Sequence, residues 1–247
     1  MRNGFRIFDT HTHLGEALHS GRRVDADTML DHMDRHGIER SLLIPFPAVA
    51  DERTAHEEIA RAVRAHPSRF CGAACLHPFQ SRDRFLNELR RCREEFGFIA
   101  LKLQPQFQPL NPLNQRHDWY WEAAISHHLP VVVHTGAGAP LALPSLYIAP
   151  ARRFPELRIV LGHAGGSLFM AECIVAADVC PNIWVEVSTL PAHQVADIAR
   201  HIPSKRLMAG SDLMESVPAE FDKILSLDLP AGAREAILWE TAADFFI

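Results

Sequence analysis

Two histidines near the start of the chain, His11 and His13, are the first residues whose types and spacing indicate chemistry. They lie two positions apart at the end of a short apolar run. Because side chains alternate across an extended strand, we predict that both imidazoles point to the same side. Two neutral imidazoles at one strand end supply half of a site for a divalent metal ion. The other half must come from residues far away in the sequence.

Three more candidates, His134, His163 and Asp212, each follow a later apolar run. Imidazole and carboxylate suit a borderline divalent ion such as Zn²⁺, and a catalytic zinc site keeps one position open for a water molecule whose pKa falls to about 7. We predict that His134 is a metal ligand together with the first two histidines. Asp212 is a further ligand or the general base for the water, and His163 hydrogen-bonds the water or polarises the substrate.

The elements that must position these residues are eight short apolar runs, each followed by a stretch with helical character. Strands that alternate with helices predict a parallel sheet, and eight such units in about 250 residues predict a closed (β/α)8 TIM barrel. A doubly wound open sheet is the alternative, but the sequence lacks its G-x-G-x-x-G phosphate loop. We predict strands at Phe5–Asp9, Ser41–Phe46, Phe70–Leu76, Phe98–Leu103, Val131–His134, Leu157–Gly162, Ile183–Val187 and Arg206–Gly210.

The helices between the runs have recognisable ends. Asp27 is predicted to cap the first helix, which ends at Gly37. We predict helices at Thr28–His36, Asp51–His66, Ser81–Glu95, Asn114–His128, Ser167–Val179, Pro191–Ile202, Ala219–Leu227 and Ala233–Phe246, with a looser one ending near Arg153. The active site of a barrel lies at the carboxyl ends of its strands. The candidates therefore meet at one mouth, although 201 residues separate His11 from Asp212.

The overall composition favours one globular domain over residues 1–247, with 47% hydrophobic and 22% charged residues. A net charge of −5 without a basic cluster argues against a nucleic-acid partner. No apolar run of about 18 residues exists, so we expect no membrane span, and no signal segment precedes the first strand. The five cysteines match no zinc or redox spacing, so a reducing, cytoplasmic location is expected.

Four segments together resemble the amidohydrolase superfamily, and within it the amidohydrolase-2 branch. That branch includes aminocarboxymuconate-semialdehyde decarboxylase, resorcylate-type decarboxylases and several lactone hydrolases. The segments are DTHTH at residues 9–13, VHTG at 133–136, LGHAGG at 161–166 and GSD at 210–212. Together they extend over nearly the whole chain, and RRFPEL at 152–157 is also typical of the branch.

The resemblance implies a metal-dependent barrel that holds one divalent ion, Zn²⁺ or alternatively Mn²⁺. It implies metal-site roles for His11, His13, His134 and Asp212, and it identifies His163 as the catalytic histidine beside the metal water. It also suggests a homodimer. The branch contains both hydrolases and non-oxidative decarboxylases, so the resemblance leaves the reaction open.

Lys102, in the fourth predicted strand, has two interpretations. In binuclear members of the superfamily, a lysine of this strand is carbamylated and bridges two metal ions. In the branch that the motifs resemble, an inward basic residue instead binds the substrate or a neighbouring carboxylate, and we favour this second role. The next residues depart from the branch, which often has His-Pro where this chain has Gln104-Pro105.

Substrate binding is assigned to residues that follow the predicted strands. Lys102 and Gln104 belong to the fourth strand and its loop, His77 follows the third strand, and Arg22 lies in the loop after the first. An arginine there could hold a substrate carboxylate through two hydrogen bonds, or it could be a solvated loop charge.

We expect a hydrolase of a small carboxylated lactone, ester or amide, in which Asp212 activates the metal water and His163 helps to polarise the carbonyl. The short chain favours hydrolysis. The alternative is a non-oxidative decarboxylase of a small aromatic or muconate-type acid that uses the same site. A barrel that binds ligand without turnover is disfavoured by the complete polar set. A TatD-like phosphodiesterase is disfavoured because its strand-four glutamate is replaced by Lys102.

Overall fold

Eight parallel strands form the centre of the molecule in a computed structural model that describes residues 1–230 and 232–247. All strands belong to one sheet in the order β2-β1-β3-β4-β5-β6-β7-β8-β9, in which only β2 is antiparallel to its neighbour. The strands are β1 Phe8–Glu16, β2 Arg23–Val24, β3 Arg40–Pro45, β4 Phe70–Cys75, β5 Ala100–Leu103, β6 Val131–His134, β7 Ile159–Gly162, β8 Ile183–Glu186 and β9 Leu207–Met208.

The sheet closes on itself where β1 meets the residues that follow β9. The Thr10 amide donates to the Ala209 carbonyl at 3.0 Å, and the Asp212 amide donates to the His11 carbonyl at 2.7 Å. An isolated parallel bridge between Thr12 and Asp212 continues this pairing. The predicted (β/α)8 barrel is therefore confirmed, and its closure brings Asp212 beside the first strand.

Helices cover the outside of the barrel and follow the strands as predicted. They are α1 Ala26–His36, α2 Glu52–Ala65, α3 Arg82–Glu94, α4 Asp118–Ser126, α5 Ile148–Arg153, α6 Gly166–Val179, α7 Ala192–His201, α8 Val217–Ser226, α9 Ala233–Glu235 and α10 Thr241–Phe246, with a π-helix at Ala236–Glu240. The predicted cap of the first helix was wrong. Asp25, not Asp27, accepts the Thr28 amide, because the helix starts two residues earlier than its apolar pattern indicates.

The lower half of the barrel is filled with apolar side chains and closed by the C-terminal helix. Phe245 and Phe246 of α10 pack against residues that point inwards from the strands. These are Phe8, Leu42, Ile44, Cys71, Ala73, Ala100, Val132, Val160 and Met208. A larger apolar cluster lies between the strands and the outer helices. The C-terminal helix thus closes this end with apolar side chains, which leaves the opposite end of the barrel for the candidate site.

The first strand differs most from its prediction. It runs to Glu16 instead of ending at Asp9, so His11 and His13 lie within the strand, and its register shifts between Asp9 and Thr12. The short β2 hairpin was not predicted either. The continuation of β1 was missed because its residues are polar, and a search for apolar runs treats polar residues as solvated. In the fold these residues are buried at the candidate site. No helix of the described residues is long and apolar enough to cross a membrane.

Candidate metal centre

Three of the predicted residues, His11, His13 and Asp212, come together where β1 meets the end of β9. Asp212 Oδ1 lies 3.4 Å from His13 Nε2 and 3.8 Å from His11 Nε2. All three ligand atoms are within 4.8 Å of one another. Two imidazoles and one carboxylate at such distances form a donor set suited to a borderline divalent ion. Their convergence agrees with the sequence prediction.

The orientation of both rings leaves the correct nitrogen on the cavity side. His13 Nδ1 donates to the Pro45 carbonyl at 3.0 Å, and His11 Nδ1 lies 3.0 Å from Glu186 Oε2. A carbonyl and a carboxylate only accept, so each Nδ1 carries the proton and each Nε2 presents a lone pair towards Asp212. Such partners behind a ligand fix its tautomer in metal sites.

His163 stands beside this group. Its ring stacks on that of His11, with centroids 4.5 Å apart, and its Nε2 lies 4.0 Å from Asp212 Oδ1. Its Nδ1 lies 2.7 Å from Ser188 Oγ. This placement fits the predicted role of His163 as a catalytic neighbour of the metal.

His134 reaches the same mouth from β6 but stands further round it. Its ring is inclined at 64° to that of His163, with centroids 4.7 Å apart, and Gln106 Nε2 donates to its Nε2 at 2.5 Å. Among the described residues, it does not belong to any group of three ligands within 4.8 Å of one another. Its role as a metal ligand therefore stays a prediction. An ion bound there would take the lone pair that now accepts from Gln106.

Burial sets the charge of these groups. It lowers the pKa of His11 well below the usual range, that of His163 to about 3 and that of His134 to about 2. Burial alone would raise the pKa of Asp212, but the histidines around it, His13 first among them, hold that pKa below its usual value. Neutral imidazoles beside a carboxylate are the state in which these groups bind a metal ion.

Lys102 is fully buried on β5, directly below the metal group. Its Nζ lies 2.8 Å from His11 Nε2, and an ammonium group only donates, which is independent evidence that His11 Nε2 carries a lone pair. Burial lowers the pKa of Lys102 to about 8. The position agrees with an inward basic residue that contacts the site.

A cavity of about 510 Å³ opens above these residues. Arg22, Gln104 and His134 line it, as do the ring of Phe46 and the carboxylate of Asp212. Arg22 is paired with Glu215, which holds it at the mouth. Gln104 is buried, and no described residue forms a hydrogen bond with its Oε1.

His77 was assigned to substrate binding, but it lies beside a different cavity. Its amide donates to Glu52 Oε1 at 2.5 Å, and its Nδ1 accepts the Phe79 amide at 3.2 Å. Both contacts are within its own loop and the adjacent helix. Phe46 lines both cavities, so the two are neighbours.

Glu186 is one of two residues of the site that sequence reasoning missed. It ends β8, is fully buried, and contacts His11 through the bond described above. The signal was available, since a lone acid interrupts the apolar run that continues to Val187. Asp9 was missed as well. Its carboxylate accepts from the Ser211 amide at 2.9 Å and from Ser211 Oγ at 2.5 Å, which holds β1 against the segment after β9.

A second buried group of possible ligands, His56, Glu88 and Cys92, lies between α2 and α3. His56 Nδ1 lies 3.0 Å from Glu88 Oε1, and its Nε2 accepts the Cys75 amide at 3.0 Å. Both ring nitrogens are therefore occupied by protein groups. We interpret this cluster as a structural link between the two helices and β4.

Among proteins of known sequence, the chain is 28% identical to the gamma-resorcylate decarboxylase of Polaromonas sp., over 55% of this chain and 54% of that protein. The corresponding enzyme of Rhodococcus jostii is also 28% identical, over 56% of each chain. The chain thus spans about half the length of the curated relatives it matches.

A solved structure supports the fold. The 5-carboxyvanillate decarboxylase of Novosphingobium aromaticivorans, complexed with manganese, superposes with a TM-score of 0.77 at 16% identity, over 98% of this chain and 96% of that chain. The family model described as amidohydrolase matches residues 8–246, which includes every motif of the resemblance. This chain belongs to the amidohydrolase family, in its amidohydrolase-2 branch.

Proposed function

We propose that this protein is a metal-dependent, non-oxidative decarboxylase of small hydroxylated aromatic acids. The observation that carries the proposal is the position of His163 Nε2, a lone pair 4.0 Å from Asp212 Oδ1 at the mouth where the metal ligands converge. The names of the curated relatives point to the same chemistry. They favour the decarboxylase alternative over the hydrolase that the short chain suggested.

The proposed metal ligands are His11, His13, Asp212 and His134. When bound, a divalent ion at this position would act as a Lewis acid towards the oxygens of the substrate. Zn²⁺ is expected from the donor set, and Mn²⁺ is the ion named with the superposed decarboxylase.

The chain's own residues supply the remaining contacts. Arg22 and Lys102 are cations beside or below the cavity, and they attract the negative charge of a carboxylated substrate. The ring of Phe46 stacks on His13, with centroids 5.2 Å apart, and forms a flat wall for an aromatic ring. Gln104 Oε1, without a partner among the described residues, is an acceptor for a substrate hydroxyl group. A cavity of about 510 Å³ is large enough for one substituted ring.

In the proposed reaction, one proton replaces the carboxylate on the ring carbon. His163 Nε2 accepts a proton from the substrate hydroxyl group or from solvent, and delivers it to the ring carbon that bears the carboxylate. The carbon–carbon bond then breaks, its electron pair restores the aromatic ring, and CO₂ leaves. Neither water nor an oxidant is consumed.

Hydrolysis of a lactone, ester or amide is the second candidate. The observation that favours it is the carboxylate of Asp212, which faces the cavity and could take the proton of a water molecule. In that case one oxygen from water would enter the product.

Isotope labelling separates the two candidates. The metal-loaded protein is incubated with 2,6-dihydroxybenzoate, 5-carboxyvanillate and a panel of aryl-substituted lactones, in deuterium oxide and in oxygen-18 water. A decarboxylase releases CO₂ and leaves one deuterium on the ring carbon, without oxygen-18 in the aromatic product. Incorporation of oxygen-18 into an opened lactone, with the aromatic acids untouched, would replace the proposal with hydrolysis.

A further inference from the structure

Glu186 contacts two functional histidines at once. One of its oxygens, Oε2, lies 3.0 Å from His11 Nδ1 and accepts from Ser188 Oγ at 2.9 Å and from the His163 amide at 3.1 Å. The other, Oε1, accepts the Ser188 amide. The residue is fully buried, so these contacts replace water completely.

The direction of these hydrogen bonds follows from what each group can donate. A carboxylate only accepts, so the single hydroxyl proton of Ser188 points to Glu186. Ser188 Oγ must then accept the bond from His163 Nδ1, which lies 2.7 Å away. His163 Nδ1 is therefore protonated, and its Nε2 keeps the lone pair.

The same carboxylate fixes His11 in the same tautomer. The contact of Lys102 with His11 Nε2 agrees, because the ammonium needs a lone pair there. Both Nε2 atoms then face Asp212 Oδ1, at 3.8 Å for His11 and 4.0 Å for His163.

The neighbouring backbone leaves little freedom to this carboxylate. A Cβ atom at Gly210 would lie 2.8 Å from Glu186 Oε1 and 2.8 Å from His11 Cβ. Because glycine has no Cβ atom, this position leaves space for the Glu186 carboxylate between β8 and β1. Steric confinement and hydrogen bonding thus act on the same group.

We infer that Glu186 is a positioning residue that sets the tautomers of His11 and His163 together, directly for the first and through Ser188 for the second. One buried carboxylate then aligns a metal ligand and the proton-transferring imidazole. The kinetic part of this inference rests on the proposed function, but the tautomers and the metal affinity do not.

The variants Ser188→Ala and Glu186→Gln separate the two connections. Ser188→Ala removes the hydroxyl group that links Glu186 to His163 and leaves the contact between Glu186 and His11 in place, so we expect kcat to fall at least 10-fold, with KM and Zn²⁺ affinity within 2-fold of wild type. In Glu186→Gln, one carboxylate oxygen becomes an amide NH₂ group. Because both oxygens of Glu186 accept hydrogen bonds, this NH₂ group faces a donor in either orientation of the amide. We expect Zn²⁺ affinity, measured by competition with a chromophoric chelator, to fall about 10- to 100-fold.

Nitrogen-15 NMR of the imidazoles gives a readout that needs neither a substrate nor a variant of Glu186. In the Zn²⁺-loaded wild type, His163, assigned through the loss of its signals in His163→Asn, is expected to be protonated at Nδ1. In Ser188→Ala, that proton is expected to be redistributed towards Nε2. Ser41→Ala is the control, because Ser41 is buried and its Oγ forms no hydrogen bond with any described residue.

The inference is overturned if His163 is protonated at Nε2 in the wild type, or if Glu186→Gln binds Zn²⁺ like the wild type. A protein with the expected tautomers and affinities but no decarboxylation would refute the proposed function and leave the role of Glu186 intact. If Glu186→Gln does not fold, the nitrogen-15 NMR measurement of the His163 tautomer in the wild type still tests the inference.

Discussion

The substitution Gly210→Ala tests how tightly the residues of the candidate metal centre are held. The added methyl group would be placed 2.8 Å from both His11 Cβ and Glu186 Oε1. His11 Cβ is attached to the central strand β1 and cannot retreat. The backbone at position 210 must therefore shift away from His11 Cβ, and the carboxylate, at the end of its side chain, has to move by about 0.6 Å to restore an ordinary contact.

That displacement is large compared with the tolerance of the hydrogen bond it affects. The contact between Glu186 Oε2 and His11 Nδ1 is 3.0 Å, so a comparable shift lengthens it beyond a normal hydrogen bond. Overpacking costs about 1–3 kcal/mol, and a lost hydrogen bond to a charged group costs about 1.5–3 kcal/mol. We expect the free energy of unfolding of the metal-free protein to fall by about 2.5–6 kcal/mol. We expect Zn²⁺ affinity to fall about 10-fold or more.

Urea unfolding of the metal-free protein and a chelator competition assay measure the two effects separately. The control is Gly97→Ala, at a glycine before β5 with φ of +67° and no described atom within 4 Å of an added Cβ. It should destabilise the fold by about 1–2 kcal/mol through backbone strain and leave Zn²⁺ affinity unchanged. If Gly210→Ala keeps wild-type affinity, Glu186 is not confined as described, and the steric argument fails.

Three further outcomes are expected. Elemental analysis of protein purified without chelator should find about one equivalent of zinc or manganese, and this metal should be lost in the double variant His11→Ala/His13→Ala. Two equivalents would contradict the mononuclear site. Between pH 6.5 and pH 5, each of the buried imidazoles of His134 and His163 should lower the unfolding free energy of the metal-free protein by about 2 kcal/mol, because their folded pKa values lie at about 2 and 3 and the unfolded state binds more protons. Asp9, whose pKa is raised to about 7 by burial, acts in the opposite direction by a similar amount, so a net fall is expected. Stability that rises over this range in urea titrations would show that both imidazoles are already charged in the fold. Phe245→Ala, in the helix that closes the bottom of the barrel, should lower the free energy of unfolding by about 3–5 kcal/mol in thermal or urea unfolding and leave Zn²⁺ affinity unchanged. A change in affinity would indicate coupling between the two ends of the barrel.

The barrel was predictable because most of its strands carry a short apolar run, such as Val131–Val133 before His134, and the predicted bounds Val131–His134 agree fully with β6. The mouth was harder. β1 was ended too early, because its continuation through His11 and His13 is polar yet buried. A pattern that equates polarity with solvent cannot extend such a strand.

Glu186 shows the other limit of sequence reasoning. Its role depends on His11, which is 175 residues away, and on Ser188, which is two residues away. An acid at the end of an apolar run could have been suspected, but the histidine it orients is known only once the barrel is closed. His11, in contrast, was identified because its spacing from His13 carries its own signal.

The backbone of the mouth carries strain that no composition predicts. His163, Ala164, Thr189 and Asp212 have φ values of 65°, 48°, 65° and 60°, and none of them is glycine. Each such residue costs about 1–3 kcal/mol and persists only where the surrounding structure fixes it. These four residues follow β7, β8 and β9, and the apolar core below them belongs to the same strands. Stability generated in the lower barrel therefore offsets the strain at the mouth, and the imidazoles and the carboxylate are held in place by the fold itself.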